Sequence, residues 1–282
     1  MNTMFLAAGL MLVSAFSHAL FNALTKRSKD KVLFRATFLG ASGLMALTLL
    51  PLVGLPSWET YRFLFVSVFI HGAYFYTTIA AFERADMGVV YPIMRGLAPA
   101  LAGVIAFLFL GEVLGPWQLL ALAGICMVLI AFAWPNRRAP VSSSALVYAL
   151  ISAVLIAGYS VNDAAGTRTA PSAFAYIIWF FAFVSLPISI VAMTLSRKRL
   201  RANLWREAKV ALPTSFIGIT SFGLALYAFS LAPVAPLVAL RETSVVFGAL
   251  LATFLLREPF GVRRIMLSGV LAACLLLLQS AQ

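Results

Sequence analysis

Acidic side chains are scarce in this sequence: nine Asp and Glu among 282 residues, beside two His and two Cys. That scarcity removes several classes of protein. The two histidines, His18 and His71, stand far apart with no metal-ligand spacing, and no two acids are placed for intramembrane proteolysis. An enzyme is therefore not expected. Cys126 and Cys274 lie inside apolar runs and read as packing residues, with neither a disulfide nor a metal site implied. There is no Walker motif, so ATP is not the direct drive of any transport. No cofactor is called for. Polar stretches long enough to make a soluble domain are missing as well.

What the chain does have is hydrocarbon. It is 62% hydrophobic and 11% charged, where a soluble domain is about 45–50% apolar and about 25% charged. Such a surface belongs in a membrane. The net charge of +12 does not point to nucleic acid, because no basic residues interleave with aromatics. The Lys and Arg lie in short connectors, where they suit anionic lipid.

A span needs about 20 mostly apolar residues. Ten candidates are expected, at about 4–24, 33–53, 61–81, 88–110, 116–134, 145–163, 172–195, 210–231, 235–256 and 263–279. The first has no basic residue before it and no small-residue cleavage signal, so it reads as a retained span. The fold class is thus an all-α integral membrane protein. The polar stretch PNRRAPVSSS, Pro135 to Ser144, divides the chain into halves 1–134 and 145–282 of five spans each. Five is odd, so homologous halves would insert in opposite senses, the inverted-repeat plan of many secondary transporters.

Lys and Arg counts set the sidedness. One set of connectors holds seventeen, from Lys26, Arg27, Lys29, Lys31 and Arg35 to Arg257, Arg263 and Arg264; the other holds Arg62 and Arg168. Both termini are therefore expected outside the cytoplasm.

One stretch occurs twice. From Gly88 to Leu110 and from Ala235 to Leu256, a constant offset sets Arg95 on Arg241, Ala98 on Ser244, Ala102 on Gly248 and Ala106 on Ala252. Glu112 then falls on Glu258. Within each copy the Arg and the three small residues share one helical stripe. A charge at that depth costs at least about 2.5–3.5 kcal/mol. Two in matched register suggest a duplicated architecture around something polar.

The copies "AFLFLGEVLGPWQLLALAGICMVLI" and "ATFLLREPFGVRRIMLSGVLAACLL", with "SHALFNALTKRSKD" ending the first span, resemble the EamA branch of the drug/metabolite transporter superfamily. The resemblance spans nearly the whole chain. It implies ten helices in two five-helix repeats and transport as the broad activity. Arg257 stands where the second turn would carry Gly.

Arg95 and Arg241 are the first candidates for substrate contact, because a guanidinium pairs bidentately with carboxylate, phosphonate or phosphate. Their structural alternative is to tie helices together. Glu242 is either a coupling carboxylate, a ligand for a substrate amine, or a fixed counter-ion. His18 and Asn22 share a face of the first span with Ser14, and such faces point into the bundle. His18 adds a group whose charge changes nearest neutral pH. His71 and Tyr74 share a face of the third span, while Tyr76 does not and reads as packing. Asn162 and Asp163 are read at the end of the sixth span, where a solvated helix end is the plain alternative. Glu112 and Glu258 read as turn-stabilising.

These residues predict a secondary transporter for a small anionic or zwitterionic metabolite, an amino acid or an organophosphonate-like compound, working by alternating access. Its partners would be that solute, membrane lipids and a coupled proton or other ion. A homodimer is compatible with this plan. The competing reading, a lipophilic-cation exporter, conflicts with two central arginines and a first span without an acid.

Overall fold

A computed structural model describes residues 2–25, 30–85, 87–133, 142–256 and 262–280. Among the described residues there is no strand. In hydrocarbon each backbone N–H and C=O must find its partner within the chain, and a helix satisfies them locally. The elements are α1 (Asn2–Thr25), α2 (Lys31–Leu49), α3 (Trp58–Phe82), α4 (Met87–Leu110), α5 (Pro116–Ala133), α6 (Ser143–Thr169), α7 (Ala173–Phe180), α8 (Leu186–Leu195), α9 (Arg197–Leu231), α10 (Val234–Arg241), α11 (Ser244–Leu256) and α12 (Val262–Ser280). Among the described residues, seven stretches are long and apolar enough to cross a membrane. Two more, Pro116–Ala131 and Ile265–Leu278, are apolar but shorter. The outward side chains suit lipid: Phe5, Phe109, Phe69 and Leu195 are largely exposed, which water would not tolerate in such number.

Four expectations about the elements need correction. The ninth candidate span is broken. Its first part ends at Arg241, a tight turn follows at Glu242 and Thr243, and α11 starts at Ser244. The turn is closed by bonds from Glu242 N to Ala239 O (3.0 Å) and from Thr243 N to Leu240 O (3.1 Å). The Thr243 hydroxyl adds a competing bond to Leu240 O at 2.8 Å. The seventh candidate carries a π-helical stretch, Phe181–Ser185, between α7 and α8. Pro187 follows it; lacking an N–H, it cannot extend a regular ladder through that turn. The stretch from Arg197 to Lys209, expected to be a connector, is helical and continues into α9. Finally, α6 runs six residues past Asp163. Glu258, Arg257 and the linker residues 134–141 lie outside the described residues, as does the side chain of Ala252.

Packing brings the ends of the sequence together. α1 lies against α9, α10 and α11, while α6 lies against α3 and α4. α2 packs on α8 and on the π stretch, α4 on α10, and α5 on α12. Ser14 and Ser221 fasten α1 to α9 reciprocally, each hydroxyl donating to the other's carbonyl at 2.6 and 3.0 Å. Ser152 donates to Thr77 at 2.9 Å between α6 and α3. Ala98, Ala102 and Ala106 are all buried, and their size lets α4 approach its neighbours closely.

Gly43 allows the closest approach of α2 to the bulged segment. A Cβ there would stand 2.5 Å from Leu186 Cγ and 3.1 Å from the Phe181 carbonyl oxygen. A backbone oxygen cannot move aside as a side chain does. Gly43→Ala should therefore cost about 1–3 kcal/mol through overpacking. A thermal melt of the detergent-solubilised protein checks it; an unchanged midpoint would show that α2 can shift freely.

Candidate functional site

The helix break is where the charges of the second copy sit. Arg241 is the last residue of α10, and Glu242 stands two residues before α11. A cation is favoured by the carbonyl end of one helix, and an anion by the amide end of the next. A continuous helix would offer neither. The break thus makes two buried charges cheaper than the same residues in mid-span.

Arg95 reaches across from α4 to this break. Its Nε donates to Glu242 Oε2 at 2.9 Å, with Arg95 3% and Glu242 1% exposed. The pair joins the first copy of the repeated stretch to the second. It does not exhaust either group. Arg95 Nη2, Glu242 Oε1 and Arg241 Nε are buried and have no hydrogen-bond partner among the described residues. Arg241 itself makes no ion pair among them; its Cζ lies 5.2 Å from the Phe222 ring centroid.

Arg95 and Arg241 border a cavity of about 150 Å³. Its wall includes His18 of α1, Arg35 of α2, His71 and Tyr74 of α3, Arg95 of α4, Tyr159 of α6 and Arg241 of α10. Phe180, Phe181, Val184 and Ser185 close it beside the π stretch, and Phe222 closes it from α9. Drug-sized ligand pockets run about 300–1,000 Å³, so this one suits a small solute. Aromatic faces and guanidinium groups together give it both an apolar body and strong anion donors.

Behind His71 lies a buried polar cluster. His71 Nε2 donates to Asp163 Oδ2 at 2.9 Å. Asp163 Oδ1 accepts from the Ser67 hydroxyl, and from Tyr176 OH at 3.2 Å. Asn162 Nδ2 donates to Phe63 O at 3.0 Å and to Ser67 Oγ at 2.8 Å. Asp163 is fully buried within α6, between α3 and α7. The expectation of a helix end here is overturned, because Arg168 secures the last turn of α6. Its guanidinium donates to the carbonyls of Phe229 (3.0 Å) and Ala232 (2.9 Å) and to Glu112 Oε1 (2.8 Å). Glu112 Oε2 accepts from Val234 N at 2.7 Å.

Of the eight residues singled out from the sequence, the structure brings five into the cavity wall: Arg95, Arg241, His18, His71 and Tyr74. Glu242 joins them through Arg95. Asp163 is one step removed, behind His71. Asn22 is not in the wall; its amide lies 3.5 Å from Tyr91 OH. Tyr76 is largely exposed and faces Tyr148. Sequence reasoning missed Arg35, Tyr159 and Phe222. Arg35 interrupts the apolar run VLFRATFLG, and that interruption was its signal.

No family model and no curated protein matches the chain. Solved structures do. One of them, described only as a crystal structure of a protein, superposes with a TM-score of 0.69. It covers 98% of this chain and 97% of its own length at 18% identity. At that identity the likeness extends to the fold.

Proposed function

We propose that this chain is a secondary transporter of the EamA type, with ten spans arranged as two inverted five-helix halves, 1–134 and 145–282. It moves a small anionic or zwitterionic metabolite across the cell membrane, the inner membrane where there are two, by alternating access, with both termini outside. Support for the repeat comes from the packing, which exchanges in order between the halves. α1 against α9 answers α6 against α3, and α1 against α10 and α11 answers α6 against α4. The self-matched pairs, α4 with α10 and α5 with α12, then lie on the exchange axis. The broken ninth span and the bulged seventh add support, since discontinuous helices form solute sites in transporters.

One observation carries the functional reading. Arg241 lines a small cavity between the halves with its Nε buried and unpartnered among the described residues. A guanidinium kept there at several kcal/mol is repaid when an anion enters. Alternating access follows if the halves rock about a solute held at Arg241 and the break beside it.

Liposomes containing the purified protein test this. Candidate anionic and zwitterionic solutes should enter faster than into empty liposomes. Arg241→Ala should cut that flux at least tenfold, the equivalent of losing about 1.4 kcal/mol of binding. Flux equal to that of empty liposomes for every such solute would overturn the reading.

A further inference from the structure

The cavity holds more positive charge than its own carboxylates answer. We infer that Arg35 and Arg241 together form a receptor for a solute bearing two negative charges, such as a phosphonate, a phosphate monoester or a short dicarboxylate. This rests on the transport reading above and narrows its substrate to one charge class.

Three guanidinium groups line the cavity: Arg35, Arg95 and Arg241. Among the described residues, two carboxylates stand near. Glu242 is committed to Arg95 at 2.9 Å. Asp163 lies behind His71, with its oxygens taken by Ser67, Tyr176 and His71. Neither Arg35 nor Arg241 makes a hydrogen bond or an ion pair with a described residue. Each is held instead over aromatic faces. Arg35 Cζ lies 5.9 Å from the Tyr74 ring centroid and 5.7 Å from that of Phe75, and Arg241 Cζ lies 5.2 Å from that of Phe222. A cation–π contact holds a guanidinium beside a ring without using its N–H groups, which stay available to an anion. Arg241 is 6% exposed, so bulk water does little to solvate it.

Counted by direct pairing, since Asp163 touches neither free guanidinium, the one carboxylate of a zwitterion or a monoanion can engage only one of Arg35 and Arg241. A dianion answers both, and each guanidinium can offer it a paired N–H fork. Arg35 becomes the residue that separates dianions from monoanions. Arg95, locked to Glu242, ties α4 to the break after α10, and its Nη2 is buried without a partner among the described residues.

The test is binding and transport by the full chain in liposomes at about pH 9, where alkylphosphonates are almost fully doubly ionised and alanine is still mainly the zwitterion. Methylphosphonate, glycerol phosphate and succinate supply the dianions. Acetate supplies the monoanion, and alanine the zwitterion. At least one dianion should compete at least tenfold more strongly than acetate or alanine, and the three arms show which dianion geometry fits. Arg35→Gln should remove that preference, weakening the dianion about tenfold while acetate changes less than threefold. Arg35→Lys keeps the charge but not the fork, so it should bind the dianion more tightly than Arg35→Gln and less tightly than the wild type, which also shows that position 35 tolerates substitution. Equal or stronger handling of acetate or alanine by the wild type would overturn the dianion assignment while leaving transport standing. A uniform loss for all solutes in Arg35→Gln would overturn the role of Arg35. If no solute of any charge binds or moves, the transport reading falls, and this inference with it.

Discussion

Glu242→Ala should be the most destabilising substitution among the charged residues of this chain, at about 3–5 kcal/mol, because it strands a buried guanidinium. Arg95 is 3% exposed, and its one ion pair among the described residues is to Glu242 Oε2 at 2.9 Å. At that exposure water solvates the stranded group poorly, even from the cavity that Arg95 lines. Removing both charges is different. Arg95→Met combined with Glu242→Leu keeps the volume and removes the desolvation penalty of two ions. Such replacements are often neutral or stabilising by about 1–4 kcal/mol. The double variant should thus melt near or above the wild type, while either single variant melts far below it. Melting followed by the fraction that still elutes as a monodisperse species measures all four proteins. If Glu242→Ala melts with the wild type, the ion pair is not what holds the two helices together. Glu242→Gln is the intermediate case: its amide oxygen still accepts from Arg95 Nε, but the charge is lost.

The first-order plan was legible because charge is so conspicuous in hydrocarbon. Arg95, Arg241 and Glu242 stand out in runs with nothing else polar of their size, and the repeat offset pairs the two arginines. Their convergence on one cavity needed the fold. Other features failed for identifiable reasons. Asp163 sits in the polar stretch YSVNDAAGTRT, which reads like a helix running out of the membrane. In the structure, three neighbouring elements turn those polar groups inward and α6 continues to Thr169. The break at Glu242 and Thr243 carries no Gly or Pro, so no local breaker announced it; tertiary contacts and the Thr243 hydroxyl make it. The connector from Arg197 was misread for the opposite reason. RKRLRANLWREAK is rich in strong helix formers, but its charge masked that propensity. Arg35 was counted among the residues that set orientation, because Lys31 lies one turn away. A cation on the fifth residue of a helix can serve both purposes, and only the cavity reveals the second.

Asp163→Ala should be the second large loss, of at least about 3 kcal/mol. The carboxylate is fully buried and gathers Ser67, Tyr176 and His71, each of which would keep a donor with nothing to receive it. Every buried group left so costs about 1–3 kcal/mol. The effect should reach the proposed transport as well, because His71 is in the cavity wall and is stacked on Tyr159 with ring centroids 4.4 Å apart. Without its anchor the imidazole is free to turn into the space a solute needs. Asp163→Asn separates the two consequences. Its amide oxygen can still accept from Ser67 and Tyr176, so most of the stability should return. Its amide N–H₂ would then face His71 Nε2, and the pair survives only if the imidazole moves its proton to Nδ1. Asp163→Asn should therefore melt within about 1 kcal/mol of the wild type, since one neutral hydrogen bond is at stake. Its transport should nonetheless be altered. Nitrogen-15 shifts of the His71 ring report the tautomer directly. Were Asp163→Ala to melt like the wild type, or Asp163→Asn to leave both the ring tautomer and the flux unchanged, the carboxylate would not be what orients His71.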